Sequence, residues 1–230
     1  MIEKLPNLTI ADPVGRNRPT SDQIAAFADT PTGFVADAMD GVGALDYRIK
    51  PVPGTPDRFH GPALTCWVGP ADILGLLASL GKAEPGDVIM AATEAWTGCA
   101  VLGDRVARMA QIAGATAIVT DGLVRDRAGI REVGLPVFAA GAHPNSPHSH
   151  GPGSVGLPIL LGGVPVSTGD IVVGDEDGVV VVPFARIGEV IARLEIVREL
   201  ERKRDDDLSR QRKLPDRIQA LIAEAELKGV

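Results

Sequence analysis

The chain has 230 residues, 45% of them hydrophobic, with a formal net charge of −7 and only 3% aromatic side chains. An acidic balance with few stacking rings argues against a nucleic-acid surface, which needs a basic face and often aromatic platforms. Met1 to Pro13 lacks the basic and apolar blocks of a secretory leader, and no apolar run approaches a membrane span, so a cytoplasmic protein without membrane or nucleic-acid contacts is expected.

The length suits one domain over 1–230, with 1–20 as an N-terminal extension and 184–230 as a C-terminal helical segment. Residues 1–20, interrupted by prolines, read as a surface wrap. Ser21-Asp22 caps a short helix carrying Ile24, Ala25, Phe27 and Ala28, and Thr32-Gly33 opens a second, Phe34 to Met39. Asp37 and Asp40, three apart, offer a carboxylate pair, although acids so spaced are more often a solvated face or a local cap. Gly41 to Pro62 reads as a long irregular connection. A strand at Ala63–Val68, an amphipathic helix at Ala71–Leu80 with Asp72 in its first turn, and a buried strand at Val88–Ala91 follow. Trp96 to Leu102 then leads into the stretch where the chemistry is concentrated.

That stretch runs from Gly103 to Asp126. A glycine and an acid, Gly103-Asp104, open a helix that ends near Gly114; a β-branched strand, Thr116–Thr120, empties into Asp121-Gly122, read as a simple turn. Arg125 and Asp126 come next, with twenty residues between Asp104 and Arg125. This spacing allows about three helical turns, a turn and a return strand, so the helix start and the loop after the strand fall at one edge of a sheet. Free helix N–H groups, a guanidinium and carboxylates in one place suit an anion and a divalent metal. Adjacent residues at a strand end point apart, so Arg125 and Asp126 are expected to face a ligand rather than each other.

The remainder is β-rich and then helical. Gly134–Ala139 is a strand, and His143–Gly153 is a loop whose His143, His148 and His150, flanked by proline, serine and glycine, read as exposed rather than as metal ligands. Strands at Pro158–Leu161 and Val164–Ser167 flank Gly162-Gly163. Ile171–Val173 and Val179–Val182 flank a turn whose Asp175, Glu176 and Asp177 read as a solvated tip. From Phe184 an apolar stripe of Ile187, Val190, Ile191, Leu194, Val197 and Leu200 marks a long helix, packed on this chain or on a neighbour. Glu201–Lys213 is a mixed-charge stretch, and Pro215 restarts a helix with Ile218, Leu221 and Ile222. Cys66 and Cys99 form neither a CxxC nor a metal-ligand pattern.

Gly103-Asp104-Arg105-Val106, Asp121-Gly122-Leu123-Val124-Arg125-Asp126 and Gly174 to Val180 resemble the RraA-like family. That family includes 4-hydroxy-4-methyl-2-oxoglutarate aldolases that also decarboxylate oxaloacetate. Asp37-Ala38-Met39-Asp40, Gly61 to Thr65 and Gly86-Asp87-Val88 extend the resemblance over about residues 30–200. It implies an α/β fold, a β/β/α swivelling domain related to phosphohistidine domains with C-terminal helices, assembled as homotrimers or hexamers. It further implies that Asp126 binds Mg²⁺ or Mn²⁺ directly, that Asp104 holds a metal-bound water, and that Arg125 contacts a 2-oxo acid substrate. Backbone amides of Gly103, Asp104, Arg105 and Val106 would take the substrate carboxylate, and Glu199 is the candidate for an acid contributed by a neighbouring subunit. Some relatives are instead non-catalytic regulators of an RNA-processing endonuclease, which is the alternative reading.

The residues support metal-dependent lyase chemistry on their own terms. Cleavage beside a 2-oxo acid leaves a pyruvate enolate whose charge needs a sink. No lysine lies in the Gly103–Asp126 stretch to form a Schiff base, so a metal with Arg125 serves instead, and Asp104 relays the proton. One departure stands out: the family's decarboxylating members carry an acid three residues after the metal aspartate, and here that position is Gly129, with Glu132 three further on. On this reading the chain binds oxalate yet decarboxylates oxaloacetate poorly, and Gly129→Glu raises turnover.

Overall fold

The computed structural model describes residues 7–11, 17–211 and 214–227. Residues 1–6 and 12–16 of the expected surface wrap, and Arg212 and Lys213 of the mixed-charge stretch, lie outside the described residues. In chain order the first elements are β1 (Leu8–Ile10), α1 (Ser21–Ala25), α2 (Thr32–Ala38), β2 (Lys50–Pro51) and β3 (Phe59–Trp67). Three crossover units follow: α3 (Leu74–Leu80) and β4 (Val88–Ala92); β5 (Ala100–Leu102), α4 (Asp104–Ile112) and β6 (Ala117–Thr120); β7 (Leu123–Val124), α5 (Arg127–Val133) and β8 (Val137–Ala139). The chain continues through β9 (Gly141–Ala142), β10 (Gly153–Val155), β11 (Ile159–Leu161), β12 (Val164–Val166), β13 (Ile171–Asp175) and β14 (Gly178–Val182). It ends in α6 (Ile187–Gln211) and α7 (Asp216–Leu227).

Parallel strands β3, β4, β6 and β8 form the centre of the main sheet. The side-chain period of two divides it cleanly. In β4, Ile89 and Ala91 enter a core with α3, α4 and α5, whereas Val88, Met90 and Ala92 enter a second core on the opposite face. That second core is closed by Ile159, Leu161 and Val166 of the β11–β12 hairpin and by Val179 and Val181 of β14, and the Phe59 and Phe138 rings meet in it edge to face at 5.0 Å. Two β layers and an α layer result, as the resemblance implies. A third core forms where the other faces of β13 and β14 meet Val35 and Ala38 of α2, Met39 just after it, and Ile187, Val190 and Leu194 of α6. The N-terminal half of the α6 stripe is therefore buried within its own chain, while Ile196, Leu200 and Leu208 further along remain exposed.

Several boundaries differ from the sequence reading, each for a physical reason. Leu8–Ile10 is not loose wrap but a strand parallel to β10. Thr20, rather than Ser21-Asp22, caps α1, through a reciprocal capping box with Gln23. Strand β3 begins four residues early because Phe59–Pro62 pair antiparallel with β13; Pro62 obscured this, yet its neighbour Ala63 supplies the N–H that bonds Asp170 O. Helix α3 starts at Leu74, and Asp72 lies before it rather than in its first turn. Asp40 pairs with Arg193 on α6 at 2.5 Å and Asp37 is exposed, so the two form a solvated, ion-paired face.

The largest correction concerns Asp175, which is not part of a solvated tip. Its side chain is buried, and it accepts hydrogen bonds from Thr32 N–H (2.8 Å), Thr32 Oγ1–H (2.7 Å) and Asp177 N–H (3.0 Å). Only Glu176 and Asp177 are exposed. Pro31, at the cap position of α2, has no side-chain donor or acceptor, so a carboxylate 143 residues away satisfies the helix start instead. Asp175→Ala strands the Thr32 donors in a buried setting. The expected cost is about 1–3 kcal/mol, read as a lower denaturant midpoint with an unchanged slope, and Asp175→Asn should lose less.

Candidate active site

The site is built where two helices begin side by side. Strands β5, β7 and β9 form a small parallel sheet, and each of the first two runs directly into a helix. Arg125 N–H donates to Leu102 O at 3.0 Å, which clips the start of α5 to the start of α4. Asp104 thus comes to lie beside Arg125 and Asp126, as the spacing predicted. All three line an open cleft of about 510 Å³ with Gly103, Arg105, Val106, Ile73, Met109 and Pro147.

Asp126 occupies the N-cap of α5 with φ 53° and ψ 40°, a left-handed conformation that aspartate tolerates better than most residues. That geometry turns the chain back on itself, so the expected divergence of Arg125 and Asp126 does not occur. Arg125 Nε lies 3.3 Å from Asp126 Oδ2. Extended neighbours alternate sides, whereas a left-handed residue puts both on one. The pair is 39% and 49% exposed, so it is a soft contact, open to a ligand.

Two glycines make the close approach possible. A Cβ on Gly103 would stand 2.8 Å from Asp126 Oδ2 and 3.2 Å from Arg125 Cγ. Gly103 is the N-cap of α4 and extends its backbone past the carboxylate. Asp104 occupies the first helical position, and its Oδ1 accepts from Arg105 N–H at 2.7 Å. Gly129 sits against the same carboxylate: a Cβ there would meet Asp104 Oδ2 at 2.6 Å and Asp104 Cβ at 2.7 Å.

Of the remaining candidates, Val106 is buried in the helix-side core, so its side chain is structural. Arg105 is exposed at the rim. Glu132 is exposed on α5 outside the cleft lining. Glu199 is exposed on α6, paired with Arg202 at 2.7 Å, and does not reach the cleft of its own chain. His148 and His150 are exposed with ring centroids 5.9 Å apart, and His143 Nδ1 accepts from Asn145 N–H. Among the described residues no three histidine, cysteine or acidic side chains gather into a cluster. The Cys66 thiol is pushed up to about 12 by burial, against the opposing Ser79 hydrogen bond, and stays protonated and inert.

Sequence reasoning missed Ile73, Met109, Pro147 and Ser146. Ser146 Oγ accepts from Arg125 Nη1 at 2.6 Å. It lies 21 residues downstream in a loop with no periodic signal. Asp121, read as a turn, is a buried clamp that accepts from Thr93 N–H, Thr93 Oγ1–H and Ala95 N–H. It also lines a larger cavity of about 670 Å³ with Asp46, Arg48, Trp67 and Glu94, whose charged groups are already engaged: Arg48 grips Asp46 through Nε and Nη2 (2.9 and 2.8 Å), and Glu94 Oε1 accepts from Trp67 Nε1–H (3.1 Å). The half-exposed Arg125 and Asp126 beside the start of α4, rather than volume, single out the smaller cleft.

A family described as RraA-like, Aldolase/RraA, matches residues 32–181. The chain belongs to the RraA-like family. It is 35% identical over 205 residues, 89% of its own length and 94% of the relative's, to a Halalkalibacterium halodurans protein named "Putative 4-hydroxy-4-methyl-2-oxoglutarate aldolase". An uncharacterized Pseudomonas syringae protein of known structure superposes with a TM-score of 0.72 at 25% identity, over 84% of this chain and 94% of that one. The RNA-processing inhibitor RraA from Thermus thermophilis superposes at 0.62 with 29% identity, over 67% and 93%. The fold is therefore the RraA fold, and its relatives carry both an aldolase name and an inhibitor name.

The packing of Gly129 reverses the effect expected of a carboxylate there. Asp104 already fills the space above Gly129, and its own Cβ cannot swing away. Gly129→Glu should push α5 from the start of α4 and lower turnover rather than raise it. Gly129→Ala isolates the clash, with an expected cost of about 1–3 kcal/mol. Steady-state kinetics of both variants, beside their melting curves, check the sign.

Proposed function

We propose that this RraA-like protein is a divalent-metal-dependent lyase. It cleaves or decarboxylates a 2-oxo acid through the pyruvate enolate, in the manner of 4-hydroxy-4-methyl-2-oxoglutarate aldolase and oxaloacetate decarboxylase. The observation that carries the reading is the convergence of Arg125, Asp126, Asp104 and the α4 N-terminus on one open cleft. The aldolase name of the 35%-identical relative supports it.

The donor set fits a hard cation. Asp126 and Asp104 both bring carboxylate oxygens to the cleft, and so sparse an oxygen set suits Mg²⁺ or Mn²⁺, Mg²⁺ in particular keeping several waters. Asp126 would hold the ion directly and Asp104 through a water. When bound, it supplies Lewis-acid polarisation of the 2-oxo group. The protein does the rest. At the start of α4, Arg105 N–H is taken by Asp104 Oδ1, and the remaining N–H groups receive the substrate carboxylate. The Arg125 guanidinium faces the oxygen on which negative charge grows as the C–C bond breaks. With Oδ1 held by Arg105 N–H, Asp104 is oriented to take the proton of a 4-hydroxyl and return one to the enolate carbon.

Regulation of an RNA-processing endonuclease is the second reading, favoured by the likeness to the RNA-processing inhibitor RraA of Thermus thermophilis. One scaffold can host both activities, but a binding surface has no need of an arginine and two carboxylates at a helix start. Release of pyruvate from a panel of 2-oxo acids decides between them. Activity should vanish with a chelator and return with Mg²⁺ or Mn²⁺, and Asp126→Ala should not be rescued. Arg125→Ala should lower kcat by about 10²–10³-fold. Full turnover in excess chelator would overturn the metal-dependent reading.

Assembly into trimers, or pairs of trimers, belongs to the same proposal. Leu200 and Leu208 on α6 and Leu214, Ile218, Leu221 and Ile222 at α7 are large, apolar and exposed in one chain, and a second copy would cover them. Glu199 lies on the same helix and would be carried to a neighbour's cleft. Light scattering at micromolar concentration should give a mass of three or six chains. A mass near one chain counts against it.

A further inference from the structure

We propose that Ser146 is a positioning residue that holds the Arg125 guanidinium over the cleft while leaving its charge intact. The catalytic consequence rests on the lyase reading; the positioning itself does not.

Arg125 stands at the end of a two-residue strand with a long, half-exposed side chain. It has one side-chain partner at each end of its fork. Asp126 Oδ2 lies 3.3 Å from Nε, and Ser146 Oγ accepts from Nη1 at 2.6 Å. The two partners do opposite things. A carboxylate draws the guanidinium down and cancels its charge; a hydroxyl fixes its direction and cancels nothing. An Asp126 engaged with a cation no longer restrains Arg125, so Ser146 becomes the restraint that remains.

The loop that carries Ser146 is held at both ends. On one side His143 N–H donates to Val124 O (2.9 Å), and Ala100 N–H donates to Asn145 O (3.0 Å), tying the loop to β7 and β5. On the other, His148 N–H donates to Ala71 O (2.7 Å), and Asp72 Oδ2 accepts from His150 and Gly151 N–H (2.8 and 3.1 Å). Ser146 sits between Asn145 and Pro147, and Pro147 itself lines the cleft. A hydroxyl on a loop fastened this way is part of a frame.

The test compares Ser146→Ala, Ser146→Thr and Ser146→Asp with the unmodified protein in Mg²⁺. Ser146→Ala should leave the melting temperature unchanged, lower kcat by about 10- to 100-fold, and weaken binding of oxalate, a planar mimic of the enolate. Ser146→Thr should largely restore both. Ser146→Asp should keep Arg125 ordered yet still bind oxalate weakly, because it cancels the charge it holds. An arm that needs no activity is the ¹⁵N relaxation of the Arg125 Nε–H, which should become mobile in Ser146→Ala and stay ordered in Ser146→Thr and Ser146→Asp. Equal order in Ser146→Ala and the unmodified protein overturns the proposal whatever the kinetics show. If the unmodified protein releases no pyruvate from any 2-oxo acid, the lyase reading fails alone, and the relaxation arm still decides the role of Ser146.

Discussion

Two parallel strands, β5 and β7, are held one hydrogen-bond ladder apart, and each is followed at once by a helix. That adjacency obliges α4 and α5 to start at the same place, with the bond from Arg125 N–H to Leu102 O closing the gap. Helices so placed collide unless the residues between them are small. Gly103 lets the Asp126 carboxylate rest against the start of α4, and Gly129 lets the Asp104 carboxylate rest against α5. The missing side chains are thus as much a part of the site as the charged ones. They bring two carboxylates and a guanidinium into one cleft.

The chain is rich in aspartates, and the structure separates them by how much of each carboxylate is already used. Asp72, Asp121 and Asp175 are buried, and each accepts three hydrogen bonds from the donors that close its loop or helix start. At Asp72, burial acts to raise the carboxyl, but backbone N–H groups of Leu74, His150, Gly151 and Ile73 outweigh it and leave it below its usual value. Its contribution is therefore present above the ordinary aspartate range near pH ~4 and fades as pH falls through the lower, folded value. Asp126 is different. Its side chain is half exposed and packs on Gly103, and among the described residues its ion-pair partner is Arg125 alone, so it has lone pairs left for a ligand. A saturated carboxylate holds structure; an unsaturated one at a cleft does chemistry.

Alternation and spacing were enough to read the central strands β3, β4, β6 and β8 and helix α4 from sequence, whereas β5, β7 and β9, two or three residues long, were too short to write a period. The pairing of Gly103-Asp104 with Arg125-Asp126 was legible too, since the elements between them have fixed rise. Short or tertiary features left no such trace. Helix α5 has seven residues with Gly129 inside, a residue that costs about 1 kcal/mol in a helix relative to alanine, and only its packing on α4 makes it helical. Asp175 looked like any hairpin acid because its partner, Thr32, is far away in the chain. Ser146 is a serine among prolines until the fold places it on Arg125.

The bond between Asp175 and Thr32 also orders events in time. Helix α2 has seven residues and no cap of its own, which is too short to persist alone in water. Its cap belongs to β13, and its apolar face rests on β13, β14 and α6, all near the other end of the chain. Strand β3 is in the same position, since its first half pairs only with β13. The segment a ribosome delivers first is consequently among the last to become structured. Although β2 can already pair with β8, until β13 emerges α2 and the first half of β3 lack the partners they fold on, and Phe27, Val35 and Met39 lack their cover. For a cell making this protein, the hazardous interval is translation itself, and chaperone demand should fall on the nascent N-terminal third.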